Sequence, residues 1–132
     1  EIVRPNLSLL NNRKVVIVVK PNAKKVAFNE LKKHGTVNFP IQLYHIDCHH
    51  LKYQMSAHWH KSIELIRVLS GTLSLRYDDR QFILKEGDYY FTNIEVIHSA
   101  IPQDCVYECV GIEIDFLNNS KFSLTIAFSS GK

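Results

Sequence analysis

His58-Trp59-His60-Lys61-Ser62-Ile63-Glu64, continued by Leu65-Ile66-Arg67-Val68-Leu69-Ser70-Gly71, is the stretch on which the reading of this chain turns. Side chains on a strand alternate between its faces, so His58 and His60 leave one face together, as a bidentate ligand pair would. From Ile63 the alternation is strict. Glu64, Ile66 and Val68 share one face; Leu65, Arg67 and Leu69 share the other. Arg67 resists burial, so the even face points inward and carries Glu64 with it. A buried carboxylate needs a partner. On a straight strand Glu64 would lie ~13 Å beyond His60. For the acid to join the two imidazoles, the chain must bend or reverse near Lys61-Ser62. A third imidazole, His98, lies past the Glu86-Gly87-Asp88 turn and must arrive from another strand.

Outward from this stretch the pattern stays β. Ser70-Gly71 is a turn signal, after which Leu73, Leu75 and Tyr77 alternate with Thr72, Ser74 and Arg76. Asp78-Asp79-Arg80 turns the chain, Phe82 and Leu84 follow, and Tyr89-Tyr90-Phe91 is an aromatic strand. Val106 to Phe116 is a long strand with Val106, Val110, Ile112, Ile114 and Phe116 on one side. Upstream, the β-branched run Val15 to Val19 predicts a buried strand, and Ile41 to Asp47 predicts another. Ala23 to Lys33 is the best helix candidate: Ala23, Val26, Ala27 and Leu31 recur at helical spacing, with His34-Gly35 as a stop. Many short strands at ~8–12-residue spacing mean a sandwich or barrel. The expected fold is therefore mainly β, a barrel with a short N-terminal helix.

The totals narrow the function. A chain of 132 residues, 45% hydrophobic and 22% charged, is one globular domain with a real core. No apolar run approaches the ~18 residues a membrane helix needs, so no membrane role is expected. Residues 1–33 hold eight Lys/Arg against two acids, and the remainder eight against eleven. The basic segment reads as a solvated face. Without a basic helix interleaved with aromatics, direct nucleic-acid binding by this piece is not expected. Cys105 and Cys109 share strand parity ~13 Å apart, too far for a disulfide; with Cys48 they read as free thiols of a cytoplasmic protein.

His58, His60, Glu64 and Gly71 match the first motif of the cupin superfamily, His-x-His, three or four residues, Glu, six residues, Gly. Gly87 and His98 fit the second motif. Lys52 stands where the family has its leading Gly, and Asn93, Glu95 and Pro102 replace the second motif's Pro, Gly and Asn. The wording from His58 to Gly71, with Leu84 to Asp88 and Asn93 to Ser99, resembles the N-terminal effector domain of AraC-type transcription regulators. That resemblance implies a cupin barrel, a double-stranded β-helix or jelly-roll, which senses a sugar or other small metabolite. It implies no catalysis, and DNA contact only through a C-terminal helix-turn-helix domain. No such pattern follows Phe116, and Glu1 replaces an initiator methionine, so a piece of a longer regulator is expected. Its layout would be an arm, strand and short helix over 1–38, a barrel core over 39–118, and a strand or tail over 119–132. The expectation for assembly is either a monomer or a homodimer paired through a sheet edge.

The pocket expected from this reading is lined by His58, His60, Glu64 and His98, with Tyr89 and Phe91 as the aromatic candidates among the Tyr89-Tyr90-Phe91 rings. Three imidazoles and a carboxylate suit zinc, iron(II), nickel or manganese. A metal-free pocket, in which the imidazoles hydrogen-bond a hydroxyl-rich ligand, is the other reading. The alternative function is a small metal-dependent cupin enzyme: a dioxygenase, isomerase or decarboxylase. Trp59 alternates with the two histidines and should face away from the pocket. His45, His49 and His50 read as exposed, and Asp88 as the brace of its turn.

Overall fold

In the computed structural model, residues 2–3, 14–18 and 27–113 are described. Nine strands carry them: β1 Ile2–Val3, β2 Val15–Val18, β3 Phe28–Asn29, β4 Ile41–Ile46, β5 Met55–Trp59, β6 Ser62–Tyr77, β7 Arg80–Lys85, β8 Tyr89–Thr92 and β9 His98–Glu113. They form one sheet in the order β1-β2-β8-β6-β9-β5-β3, with β4 also on β9 and β7 also on β6.

Two 16-residue strands, β6 and β9, form the antiparallel spine, paired from Ser62–Glu113 to Tyr77–His98. The far edge of each is shared. Along β6, β8 pairs with Glu64 to Arg67 and β7 with Thr72 to Tyr77. Along β9, β5 takes the first residues and β4 takes Tyr107 to Ile112. This shared pairing rolls the sheet. A flat ladder would hold Glu64 about 43 Å from the His98 end, thirteen residues along β6. In the folded chain their side chains are 3.2 Å apart.

The roll has a local cause. Between Val68 and Thr72 the β6–β9 register slips and recovers, one extra residue on each strand in turn. Gly71 sits there at φ 73° and Asp104 opposite at φ 45°. A Cβ on Gly71 would overlap the Asp104 carbonyl, so only glycine fits this double bulge. The bulge also switches the inward face. Glu64, Ile66 and Val68 are buried before it; Leu73, Leu75 and Tyr77 are buried after it. On β9 the inward residues change likewise, from His98 and Ala100 to Cys105, Tyr107 and Cys109. Val106 and Val110 are only half-buried. Ser70-Gly71 is thus a bend within one strand, not the turn expected from the sequence.

The core is apolar where the sequence alternation required it: Val16, Ile66, Val68, Leu73, Leu75, Leu84 and Tyr90 have no exposed surface. Asp88 braces its turn as expected, accepting from the backbone N–H of Lys14 and of Lys85. Cys48, Cys105 and Cys109 are free thiols. The mainly β fold class holds. The helix expected over Ala23 to Lys33 does not form among its described residues, and 23–26 lie outside them. Phe28–Asn29 pairs in parallel with His58–Trp59, and the Trp59 indole N–H donates to Ala27 O at 3.1 Å. Leu31, which the helical reading turned toward the core, is 78% exposed. Sheet pairing and one indole hydrogen bond outweigh a weak helical period.

Candidate functional site

The bend places side chains from three segments in one spot. β5 carries His58, the short link after it carries His60, and β9 opens with His98, which pairs directly with His58. All three imidazoles are buried, and their ligand-capable nitrogens lie within 4.8 Å of one another. The same hydrogen bond orients each ring. Nδ1 of His58 donates to Ser56 O at 2.8 Å, Nδ1 of His60 to Ser62 O at 2.9 Å, and Nδ1 of His98 to Val96 O at 2.9 Å. Fixing the proton on Nδ1 leaves each Nε2 as the atom for the centre, the arrangement by which metal-ligating histidines are held.

Glu64 reaches the cluster from the start of β6. Its Oε1 accepts from His98 Nε2 at 3.2 Å, and its Oε2 lies 3.8 Å from His60 Nε2. Burial alone would push this carboxyl up, but the His98 hydrogen bond and the surrounding imidazoles win and hold it well below the usual carboxylate range. The same pair acts in reverse on His98: burial opposes its charge, and Glu64 outweighs that and raises it. Burial, with His98 beside it, pushes His58 down, so this ring is neutral.

These residues fit a divalent transition metal. His60 Nε2 is buried with no hydrogen-bond partner among the described residues. A buried nitrogen in that state is costly unless something takes its lone pair. Three nitrogens and one carboxylate oxygen form a donor set suited to zinc, iron(II), nickel or manganese. Glu64 stands as the fourth donor or as the counter-charge of His98, since it bonds the nitrogen an ion would need.

A cavity of about 180 Å³ opens beside the cluster, reached by His58 and Glu64. Its remaining polar wall comes from residues that the sequence did not single out for the site. Glu30 follows β3 and Lys52 precedes β5; they form an ion pair at 2.7 Å. His34 and Tyr44 face the same space, linked by a 2.7 Å hydrogen bond between Nδ1 and the phenol. The His34 ring fits only because Gly111 lacks a side chain: a Cβ there would stand 2.6 Å from the ring. Two signals were present in the sequence. Glu30 is, with Glu1, one of only two acids in the basic first 33 residues, and Lys52 replaces a glycine of the cupin pattern.

His58, His60, Glu64 and His98 are thus brought together. Tyr89 and Phe91 are not part of this wall. They pair with Arg67 and Leu65 on one side and with Val15 and Ile17 on the other, which puts them on the outer face of β8. Tyr90 is the inward ring, 5.9 Å from His98 between centroids. Its hydroxyl is pushed far up by burial, so it is no proton donor at ordinary pH. The Cys109 thiol is likewise pushed up, by burial and then by Glu64, and is not a nucleophile.

The class follows from the comparisons with known proteins. The chain belongs to the AraC-like ligand-binding domain family, whose pattern matches residues 40–126. No curated protein matches it significantly. Among solved structures it is similar to an RmlC-like cupin with a double-stranded β-helix fold from Methanocaldococcus jannaschii, at 20% identity and a TM-score of 0.47, over 61% of this chain and 76% of that one. It is similar to an HTH_3-family transcriptional regulator from Vibrio cholerae, at 19% identity and TM-score 0.45, over 58% of this chain and 45% of that one. A DMSP lyase is similar at 18% identity and TM-score 0.41, over 45% of this chain and 32% of the lyase. The chain therefore spans a third to a half of the lyase and the regulator. No helix among the described residues is long and apolar enough to cross a membrane.

Proposed function

We propose that this barrel is the metabolite-sensing domain of a transcription regulator. On this reading residues 39–118 form the sensing core and residues 1–38 an arm. A helix-turn-helix domain elsewhere in the full-length protein binds DNA in the cytoplasm. The observation that carries the reading is the cavity beside the histidine cluster, in a chain whose family is a ligand-binding domain. At about 180 Å³ it is below the ~300–1,000 Å³ of drug-sized sites, so it suits a small ligand, of sugar or similar size. The neutral His58, the His34–Tyr44 pair and the Glu30–Lys52 pair supply donors and acceptors side by side, as hydroxyl-rich ligands require.

His58, His60 and His98, with Glu64, would hold a divalent metal, and the ion would supply a Lewis-acid anchor for a ligand oxygen. The protein's own part is to orient the rings through Nδ1, keep His58 neutral, and wall the site from water. Sensing then requires that the ligand bind one arrangement of the regulator more tightly than the other. A tenfold change in DNA affinity needs about 1.4 kcal/mol of such difference. Isothermal titration of a metabolite panel, followed by DNA binding of the full-length protein with and without the ligand found, tests this. A ligand that binds and leaves DNA affinity unchanged rejects it.

The complete donor set supports a second reading, a small metal-dependent cupin enzyme. Against it, Glu64 is tied to His98 and Cys109 stays protonated, so acid–base work would fall to the cavity-wall residues His34 and Glu30, which lie outside the metal-ligand set. Turnover that depends on added metal and vanishes in His58→Ala would favour it.

A further inference from the structure

Glu30 lies outside both cupin motifs and Lys52 replaces the first motif's leading glycine, yet their ion pair forms part of the cavity wall. We propose that Glu30 is the anchor for the ammonium group of a small organic amine, and that Lys52 occupies this anchor until the amine arrives. The proposal rests on the ligand-sensing reading and names the chemistry of its ligand.

The two partners are not equivalent. Glu30 is the better buried, its side chain 20% exposed against 36% for Lys52. Its backbone is pinned: Glu30 N–H donates to Trp59 O at 2.8 Å, next to the β3–β5 pairing. Four residues on, His34 N–H donates to Glu113 Oε2 at 2.7 Å, so the segment is held on both sides of Glu30. Apart from Glu30, the contacts of Lys52 among the described residues are at its backbone: its N–H donates to His50 Nδ1 at 2.9 Å, and its O accepts from the Tyr107 hydroxyl at 3.0 Å. Its four-carbon stem is free to carry the ammonium out to water at little cost.

The charges around Glu30 favour an amine. Lys52, His34 and His58 line the same cavity as Glu30. Lys52, at 2.7 Å, is the positive charge in hydrogen-bond contact with Glu30, which stays ionised beside it. A ligand that displaces Lys52 must bring its own positive charge, because a half-buried carboxylate stripped of its partner is costly. A neutral ligand binds with the pair closed, and an anion meets Glu30 directly.

Ethanolamine, ethylene glycol and glycolate form a near-isosteric set: cation, neutral and anion. Each is titrated into the full 132-residue chain after metal removal, followed by amide chemical shifts and by the emission of Trp59, the single tryptophan, whose indole donates to Ala27 beside Glu30. Ethanolamine should bind at least three times more tightly than the other two. Lys52→Met, which keeps the stem, should raise its affinity roughly three- to tenfold by removing the competitor. The near-isosteric Glu30→Gln should erase the preference. Glycolate binding best, the three binding alike, none binding, or Lys52→Met weakening ethanolamine would each overturn the proposal. If a neutral metabolite binds and still alters DNA affinity, the sensor reading survives its loss. If ethanolamine behaves as expected but no effector changes DNA affinity, the site stands and the sensor reading falls.

Discussion

Both halves of β6 feed the apolar core, Ile66 and Val68 before the bulge and Leu73 and Leu75 after it, but only the first half also carries a charged group inward. Before the bulge, Glu64 and its neighbours put a carboxylate into the interior, answered by three imidazoles. After it, Leu73, Leu75 and Tyr77 present an apolar wall with Leu84 behind them. The apolar half needs no specific partner, because burial of hydrocarbon is favourable wherever it is dense. The polar half is stable only while its partners are in register: Glu64 with His98, and each Nδ1 with its carbonyl. Both halves make the core, and the first also builds the site. The Gly71 bulge joins them, so its integrity matters to both.

That contrast can be broken in order of effect. Gly71→Val should be the most damaging change, since a side chain there strikes the Asp104 backbone at positive φ. A loss of about 4 kcal/mol or more, or failure to fold, is expected by chemical denaturation. Leu75→Ala hollows the apolar half alone and should cost about 2–5 kcal/mol while leaving metal affinity within twofold.

Zinc should act on the polar half alone. At a hundred times its dissociation constant it should add about 2.7 kcal/mol to unfolding, seen as a rise in Tm that His58→Ala abolishes. A wild-type Tm indifferent to zinc, iron(II), nickel and manganese would leave the cluster as a hydrogen-bonding site only.

The smallest effect is a pH dependence of the metal-free protein. Glu64 is held below its ordinary 4.5, so its contribution is present above 4.5 and is lost as pH falls through the lowered value. His98 is raised above its ordinary 6.5, so its contribution is present below 6.5 and is lost as pH rises through the raised value. The pair should therefore stabilise most between these two ordinary values and fade on either side. Glu64→Gln should flatten the profile; an unchanged profile would show that the pair is not formed in solution.

The legible part of the site was local. His58 and His60 two apart, Glu64 on the inward parity and the turn before His98 are short-range facts, and each fell where the pattern put it. Three readings departed from the structure because each was decided elsewhere. Gly71 reads as a turn on local chemistry, but Asp104 on β9 makes it a bulge within a continuous strand. Residues 27–33 keep a helical period, but Trp59 and the edge of β5 hold Phe28–Asn29 extended. Tyr89 and Phe91 share a parity that the sequence alone cannot orient, and the pairing of β8 with β6 and β2 turns it away from the cavity.

The sequence by itself determined the alternation that makes strands, the apolar content that makes a core, and the identity of four polar residues that must find one another. The first two are legible because they repeat every second residue and need no distant partner; the four polar residues are legible because they match the spacing of the cupin motifs. Only the tertiary structure decided that Glu30 meets Lys52, that His34 rests on Gly111, and that Glu64 lies against His98 across a rolled sheet. Those contacts join residues 22 to 77 positions apart, and their geometry is set by strand register and the bulge.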